Sequence, residues 1–279
     1  MTTTTRLDIP LGLGRSVPTV YHKSSNTTAG APLIIFGPGS GENLSKGPVN
    51  STALTERYNN LLSYGHHKTL AANADKTGFH VLIPLFVQEW NNWVPAWTGG
   101  TYIENIIDWA VHNLPIDPKR IILIGYSEGG CMVLDALTRN SNLTAKIAGG
   151  VVLSGGGVSV PNWQLIADFH VPVWFYHAVD DNSPAPYSMG VSNYESILRT
   201  GANPAPVFKK ILSGGHNAGP AVGLTDLAVY NAALTWKAGA VIPQEPEEPN
   251  EPEPPAKTIV AKLEITVYSD GSTETKKLQ

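Results

Sequence analysis

One cysteine, Cys131, occurs among 279 residues. A single thiol cannot close an intrachain disulfide or build a cysteine-based zinc site, so neither is expected. That scarcity is compatible with a reducing compartment. Nowhere do about eighteen apolar residues run together, so no segment is expected to span a membrane. Met1-Thr-Thr-Thr-Thr-Arg6 and the residues up to Pro10 hold no apolar run of the kind a secretory signal needs, which leaves the cytoplasm as the default expectation. Charge is also scarce, with a formal net value of -4. Five of the glutamates crowd into Glu245 to Glu253, and without them the chain sits near +1. A near-neutral body offers no electrostatic footprint for nucleic acid. His66-His67 has no suitably spaced Asp, Glu or His beside it in sequence, so no metal site is expected there.

What the chain does have is apolar residues, 42% of the total, enough for a full core. Short apolar runs alternate with helical spacing. Pro32 to Phe36, His80 to Pro84, Arg120 to Ile124, Val151 to Leu153, Val171 to Tyr176 and Val207 to Leu212 read as buried strands. Between them, Tyr102 to Val111, Gly129 to Leu137 and Asp226 to Trp236 read as helices, and Ser51 to Ala74 is helical in its middle with a break near Gly65. The expected class is α/β: a mostly parallel sheet covered by helices on both faces.

Composition shifts sharply at Pro243-Gln-Glu-Pro-Glu-Glu-Pro-Asn-Glu-Pro-Glu-Pro-Pro255. Proline fixes φ and the glutamates repel, so residues 243–257 are expected to be an extended linker after a catalytic domain at 1–242. Beyond it, Ile259, Ala261, Leu263, Ile265 and Val267 alternate as one strand face. Ser269-Asp-Gly-Ser272 then offers a turn, so residues 258–279 are expected to form a small β-hairpin tail. A lone hairpin is marginal in water, so the tail calls for a partner surface or self-association unless it is a frayed appendage.

The chemistry centres on Ile121-Ile-Leu-Ile-Gly125-Tyr-Ser127-Glu-Gly129-Gly130. This is G-x-S-x-G between an apolar strand and an apolar helix. Such a serine sits on a sharp turn where Cβ groups two residues to either side collide with neighbouring elements, hence glycine at both places. The turn lifts the Ser127 hydroxyl over the sheet and beside a helix N-terminus. A hydroxyl becomes a nucleophile only when a base takes its proton. In this arrangement the base follows an acid later in the chain. Two histidines lie beyond His170, and His216 is the better placed, in the polar glycine-flanked loop Ser213-Gly-Gly-His-Asn-Ala-Gly219. For the acid, Asp180 and Asp181 both follow the strand ending at Tyr176, and spacing alone does not choose between them. His177, just before them, reads as structural. The oxyanion of the tetrahedral intermediate needs two donors. Glu128 N–H can supply one. Gly37-Pro-Gly-Ser40-Gly41-Glu42 can supply the other through Ser40 or Gly39, since Pro38 has no N–H.

These residues resemble the carboxylesterase/phospholipase-like group of α/β-hydrolases, which includes PHB-depolymerase-like and feruloyl-esterase-like enzymes. In that group an I-D-P-x-R run leads into the elbow strand, as Ile116-Asp-Pro-Lys-Arg120 does here. Pro32 to Glu42 is similar to its H-G-x-G-E oxyanion segment, with Pro38 at the histidine. His177-Ala-Val-Asp180-Asp181 is similar to its H-G-x-x-D segment, with Ala178 at the glycine. Counting from His177 puts the acid at Asp181. Gly214-Gly-His216-Asn217 is similar to its histidine loop. The resemblance spans about residues 30 to 240. It implies an α/β-hydrolase fold and a serine esterase with Ser127, Asp181 and His216 as triad, Ser40 and Glu128 at the oxyanion, and no metal or cofactor.

The substrate implied is a small-molecule or polymer-attached ester. The same triad can serve a peptidase, and a catalytically silent binding module is the third reading. Trp90, Trp93 and Trp97 cluster after the strand at His80 to Pro84, where aromatic rings can line a substrate pocket or simply pack a loop. Cys131, one helical turn after Ser127, reads as a small buried packing residue.

Overall fold

The computed structural model describes residues 3–12, 15–25, 30–40, 42, 59, 62, 65–85, 100–239, 262–267 and 273–278. The chain enters as two strands, β1 (Thr3–Gly12) and β2 (Arg15–Lys23), followed by β3 (Ala31–Gly37). Helices and strands then alternate: α1 (Gly65–Thr77), β4 (His80–Pro84), α2 (Gly100–Asn113), β5 (Ile116–Tyr126), α3 (Glu128–Arg139) and the one-turn α4 (Ser141–Thr144). After these come β6 (Gly149–Leu153), α5 (Gln164–Asp168), β7 (Val173–Ala178), α6 (Tyr187–Arg199), β8 (Val207–Ile211), α7 (Ala218–Gly223) and α8 (Leu227–Ala233). A last pair, β9 (Lys262–Val267) and β10 (Thr273–Leu278), closes the described chain.

The strands form one sheet in the order β1-β2-β4-β3-β5-β6-β7-β8-β9-β10. From β4 to β9 every neighbouring pair is parallel. The edges are antiparallel, with β1 on β2, β2 on β4, and β10 on β9. Parallel strands are covered on both faces, so their residues must be apolar on both. Successive side chains in β3 and β5 accordingly enter two different cores. Leu33, Ile35, Ile121 and Leu123 face one with Ile103 and Ile107 of α2, Val133 and Leu137 of α3, and Ile197 of α6. Ile34, Phe36, Ile122 and Ile124 face the other, with Leu70 and Ala74 of α1 and Val229, Tyr230 and Ala233 of α8.

The expected strands and helices of the body are present, and α1 begins at Gly65, where the sequence reading placed a break; most of residues 51–64 lie outside the described residues. The β1–β2 hairpin, α6 and the short helices α4, α5 and α7 exceed the sequence reading. The tail forms the expected hairpin, and β9 lies parallel to β8, pairing Lys209 with Ile265 and Ile211 with Val267. The Pro/Glu-rich segment 243–257 and Trp90, Trp93 and Trp97 lie outside the described residues. Among the described residues no helix is long and apolar enough to cross a membrane.

Candidate active site

Ser127 occupies the bend between β5 and α3 at φ 54, in the left-handed region that disfavours a side chain with a Cβ. The surrounding glycines permit it. A Cβ on Gly125 would stand 1.9 Å from the Gly129 carbonyl oxygen, and one on Gly129 would stand 1.8 Å from that of Gly37. Backbone on backbone at that range cannot relax, so both positions require glycine. The Ser127 N–H donates to Leu153 O at 2.9 Å, tying the bend to β6.

Two distant loops converge on this serine. His216, in the 3-10 turn Gly215–Asn217 after β8, places Nε2 2.8 Å from Ser127 Oγ. Its Nδ1 lies 2.8 Å from Asp181 Oδ2, and Asp181 follows β7. A carboxylate can only accept, so Nδ1 carries the proton and Nε2 is left as the acceptor facing the serine hydroxyl. The Asp181 side chain is fully buried and that of His216 is 24% exposed, so the acid is sealed while the base can be reached. Burial alone would raise the Asp181 carboxyl. Hydrogen bonds from His216 and from the Ser183 backbone and hydroxyl outweigh it and hold the group below its ordinary range.

The two adjacent aspartates divide the work. Asp180 turns outward and accepts the Gly214 and Gly215 N–H groups at 3.1 and 2.9 Å, which lowers its pKa and ties down the loop that carries His216. Gly214 and Gly215 both have positive φ, at 116 and 60, so their glycines serve this bend. His177 is buried against the same carboxylate oxygen that His216 meets. Its Nε2 faces Asp181 Oδ2 at 2.9 Å and Ala185 O at 3.1 Å. Both are acceptors, so His177 donates from Nε2. Burial pushes its pKa down.

Ser40 and Glu128 line the same cleft as Ser127 and His216. Of the two candidates in the glycine-rich turn, Gly39 has its N–H committed to Glu42 Oε2 at 3.2 Å. Glu42 also receives His66 Nδ1 at 3.0 Å and has His67 Nε2 at 3.5 Å. The sequence shows no acidic partner near His66-His67; the fold supplies one from 24 residues upstream. Burial alone would raise the Glu42 carboxyl, but the hydrogen bonds from His66 and His67 prevail and set it at about 2. The His66 ring packs edge-on against Tyr126, which packs against His216 with centroids 5.2 Å apart. The Tyr126 hydroxyl donates to Asn217 Oδ1 at 2.5 Å, bracing the histidine turn. Across the cleft the wall is apolar, with Pro184, Ala185, Met189 and Ala221. Cys131 is 7% exposed, and its Sγ accepts the Gly157 N–H at 3.1 Å. Burial pushes its thiol up, away from reactivity.

A family model described as phospholipase/carboxylesterase matches residues 98–224, the stretch from the start of α2 through the histidine turn. Over that stretch the chain is similar to the phospholipase/carboxylesterase family. No relative is found among curated proteins. Solved structures similar to this chain include a thermostable esterase, at 17% identity and a TM-score of 0.60 over 85% of this chain and 63% of that one. This chain therefore spans less than two thirds of that esterase's length. A putative dienelactone hydrolase from Klebsiella pneumoniae aligns at 14% identity and a TM-score of 0.58, covering 85% of this chain and 98% of that one. Est1E from Butyrivibrio proteoclasticus aligns at 14% identity and 0.58, covering 83% and 97%. At such identities the likeness is one of fold. Sequence reasoning missed Ser183, whose hydroxyl meets His216, and the Glu42–His66 pair on the cleft wall.

Proposed function

We propose that this chain cleaves carboxylic esters through an acyl-enzyme on Ser127. The observation that carries this is the unbroken chain from Ser127 Oγ through His216 to the buried carboxylate of Asp181, each link 2.8 Å. Ser127 attacks the ester carbonyl while His216 Nε2 takes its proton. The negative charge that develops on the carbonyl oxygen is met by the N–H groups of Glu128 and Ser40. Ser40 and Glu128 both line the cleft that holds Ser127. The imidazolium, steadied by Asp181, then gives its proton to the leaving alcohol. Water enters, passes a proton to His216 and attacks the acyl carbon, and Ser127 leaves with that proton as the acid is freed. No step calls for a metal or cofactor.

Ester and amide substrates share this chemistry, so the test is a panel of p-nitrophenyl esters, acetylated sugars, feruloyl esters and peptides, with Ser127→Ala as control. Turnover of one or more esters that the control lacks supports the reading. Turnover of peptides alone replaces it with a peptidase, and turnover of nothing leaves a binding module.

The same reading makes 1–242 the catalytic domain and 243–279 a linker and tail. None of the triad contacts involves the tail. Pairing of β9 with β8 covers a sheet edge that would otherwise be open to other chains. Deleting residues 243–279 is therefore expected to leave ester turnover unchanged while self-association rises. Light scattering after size-exclusion chromatography, beside the ester assay, checks both.

A further inference from the structure

Ser183 lies in the turn after β7, two residues beyond Asp181, and belongs to none of the motifs that point to the triad. Its N–H donates to Asp181 Oδ1 at 2.9 Å. Its Oγ stands 2.8 Å from His216 Nδ1, the same distance that separates this nitrogen from Asp181 Oδ2. The Ala185 N–H donates to the same Oγ at 3.2 Å. A hydroxyl has one proton and two lone pairs. Ala185 N–H and His216 Nδ1–H take the lone pairs. The proton is left for the Asp181 carboxylate, which the hydroxyl helps to keep ionised.

We infer that Ser183 is a positioning residue, a second acceptor that shares the His216 Nδ1–H with Asp181 and so helps to fix the tautomer that leaves Nε2 free for Ser127. The role rests on the triad proposed above. With Asp181 present, the carboxylate is the stronger acceptor and Ser183 is secondary. With Asp181 truncated, Ser183 becomes the remaining acceptor at Nδ1. With Asp181 replaced by asparagine, an amide N–H can donate to Nδ1 and favour the wrong tautomer, an effect known to cost about 10,000-fold in kcat in a serine protease.

The test is a double-mutant cycle on kcat with a p-nitrophenyl ester, with melting curves to confirm that each variant folds. Ser183→Ala is expected to lower kcat about fivefold in the wild-type background with little change in KM, and about fiftyfold in the Asp181→Ala background, a coupling of ordinary size for residues in one network. Asp181→Ala is expected to outperform Asp181→Asn, and that advantage to vanish when Ser183→Ala is added. Ser183→Thr, which keeps the hydroxyl, restores activity. Equal Ser183→Ala factors in the two backgrounds, or a Ser183→Thr variant as impaired as Ser183→Ala, overturn the role of Ser183. Full ester turnover by Ser127→Ala overturns the triad and the role of Ser183 with it. An inactive Ser127→Ala beside equal Ser183→Ala factors removes Ser183 alone.

Discussion

Replacing Ser127 with alanine is expected to lower ester turnover by about 10,000-fold or more while leaving the melting temperature nearly unchanged. The loss is large because the hydroxyl, 2.8 Å from His216 Nε2, is the atom that attacks. The fold is spared because the bend is held by other groups. The Ser127 N–H bonds to β6, and the glycines on either side, not the hydroxyl, allow the positive φ. Steady-state kinetics on the best ester of the panel, with a thermal melt of the same sample, separates the two effects. A variant with substantial turnover would make Ser127 a bystander at a glycine-rich turn.

Gly129→Ala is expected to do the opposite, removing the fold and not merely the activity. Its new Cβ would lie 1.8 Å from Gly37 O and 2.3 Å from Gly37 C. Gly37 is the last residue of β3 and pairs with Gly125 of β5, in the middle of the sheet, so it cannot retreat without opening the parallel ladder. The helix cannot retreat either, because Gly130 packs on Gly155 with only 2.8 Å between its would-be Cβ and the Gly155 Cα. Overpacking a core typically costs about 1–3 kcal/mol, and rigid backbone contacts place this change above that range, at about 4 kcal/mol or more. Against a total stability of about 5–15 kcal/mol, that is enough to send much of the protein to the insoluble fraction. Soluble yield and melting temperature are the readouts. A Gly129→Ala protein that melts with the wild type would mean the elbow is not packed as described.

The parts of this molecule that were legible in sequence are those enforced locally. The elbow could be read because the glycines at Gly125 and Gly129 are demanded by the turn itself, two residues from the serine they serve. The parallel strands could be read because burial on both faces leaves runs such as Ile121 to Ile124 with no polar residue. The β1–β2 hairpin escaped because Pro10 and Pro18 argue against strands, and because β1 lies largely exposed and polar at the sheet edge. Asp180 and Asp181 could not be separated by spacing, since neighbouring residues in a turn point in directions set by tertiary contacts. Asp180 is drawn out by the Gly214 and Gly215 N–H groups, and Asp181 is turned in under His216. Glu42 and His66 meet across 24 residues, a pairing no local pattern encodes.

The central claim is that one serine is made nucleophilic by one histidine. Intact-mass spectrometry after treatment with a fluorophosphonate measures this directly. A single adduct per chain, mapped to Ser127 and formed far more slowly in His216→Ala, is the expected result. An active protein that takes up no adduct at Ser127, or that labels equally fast without His216, would contradict it.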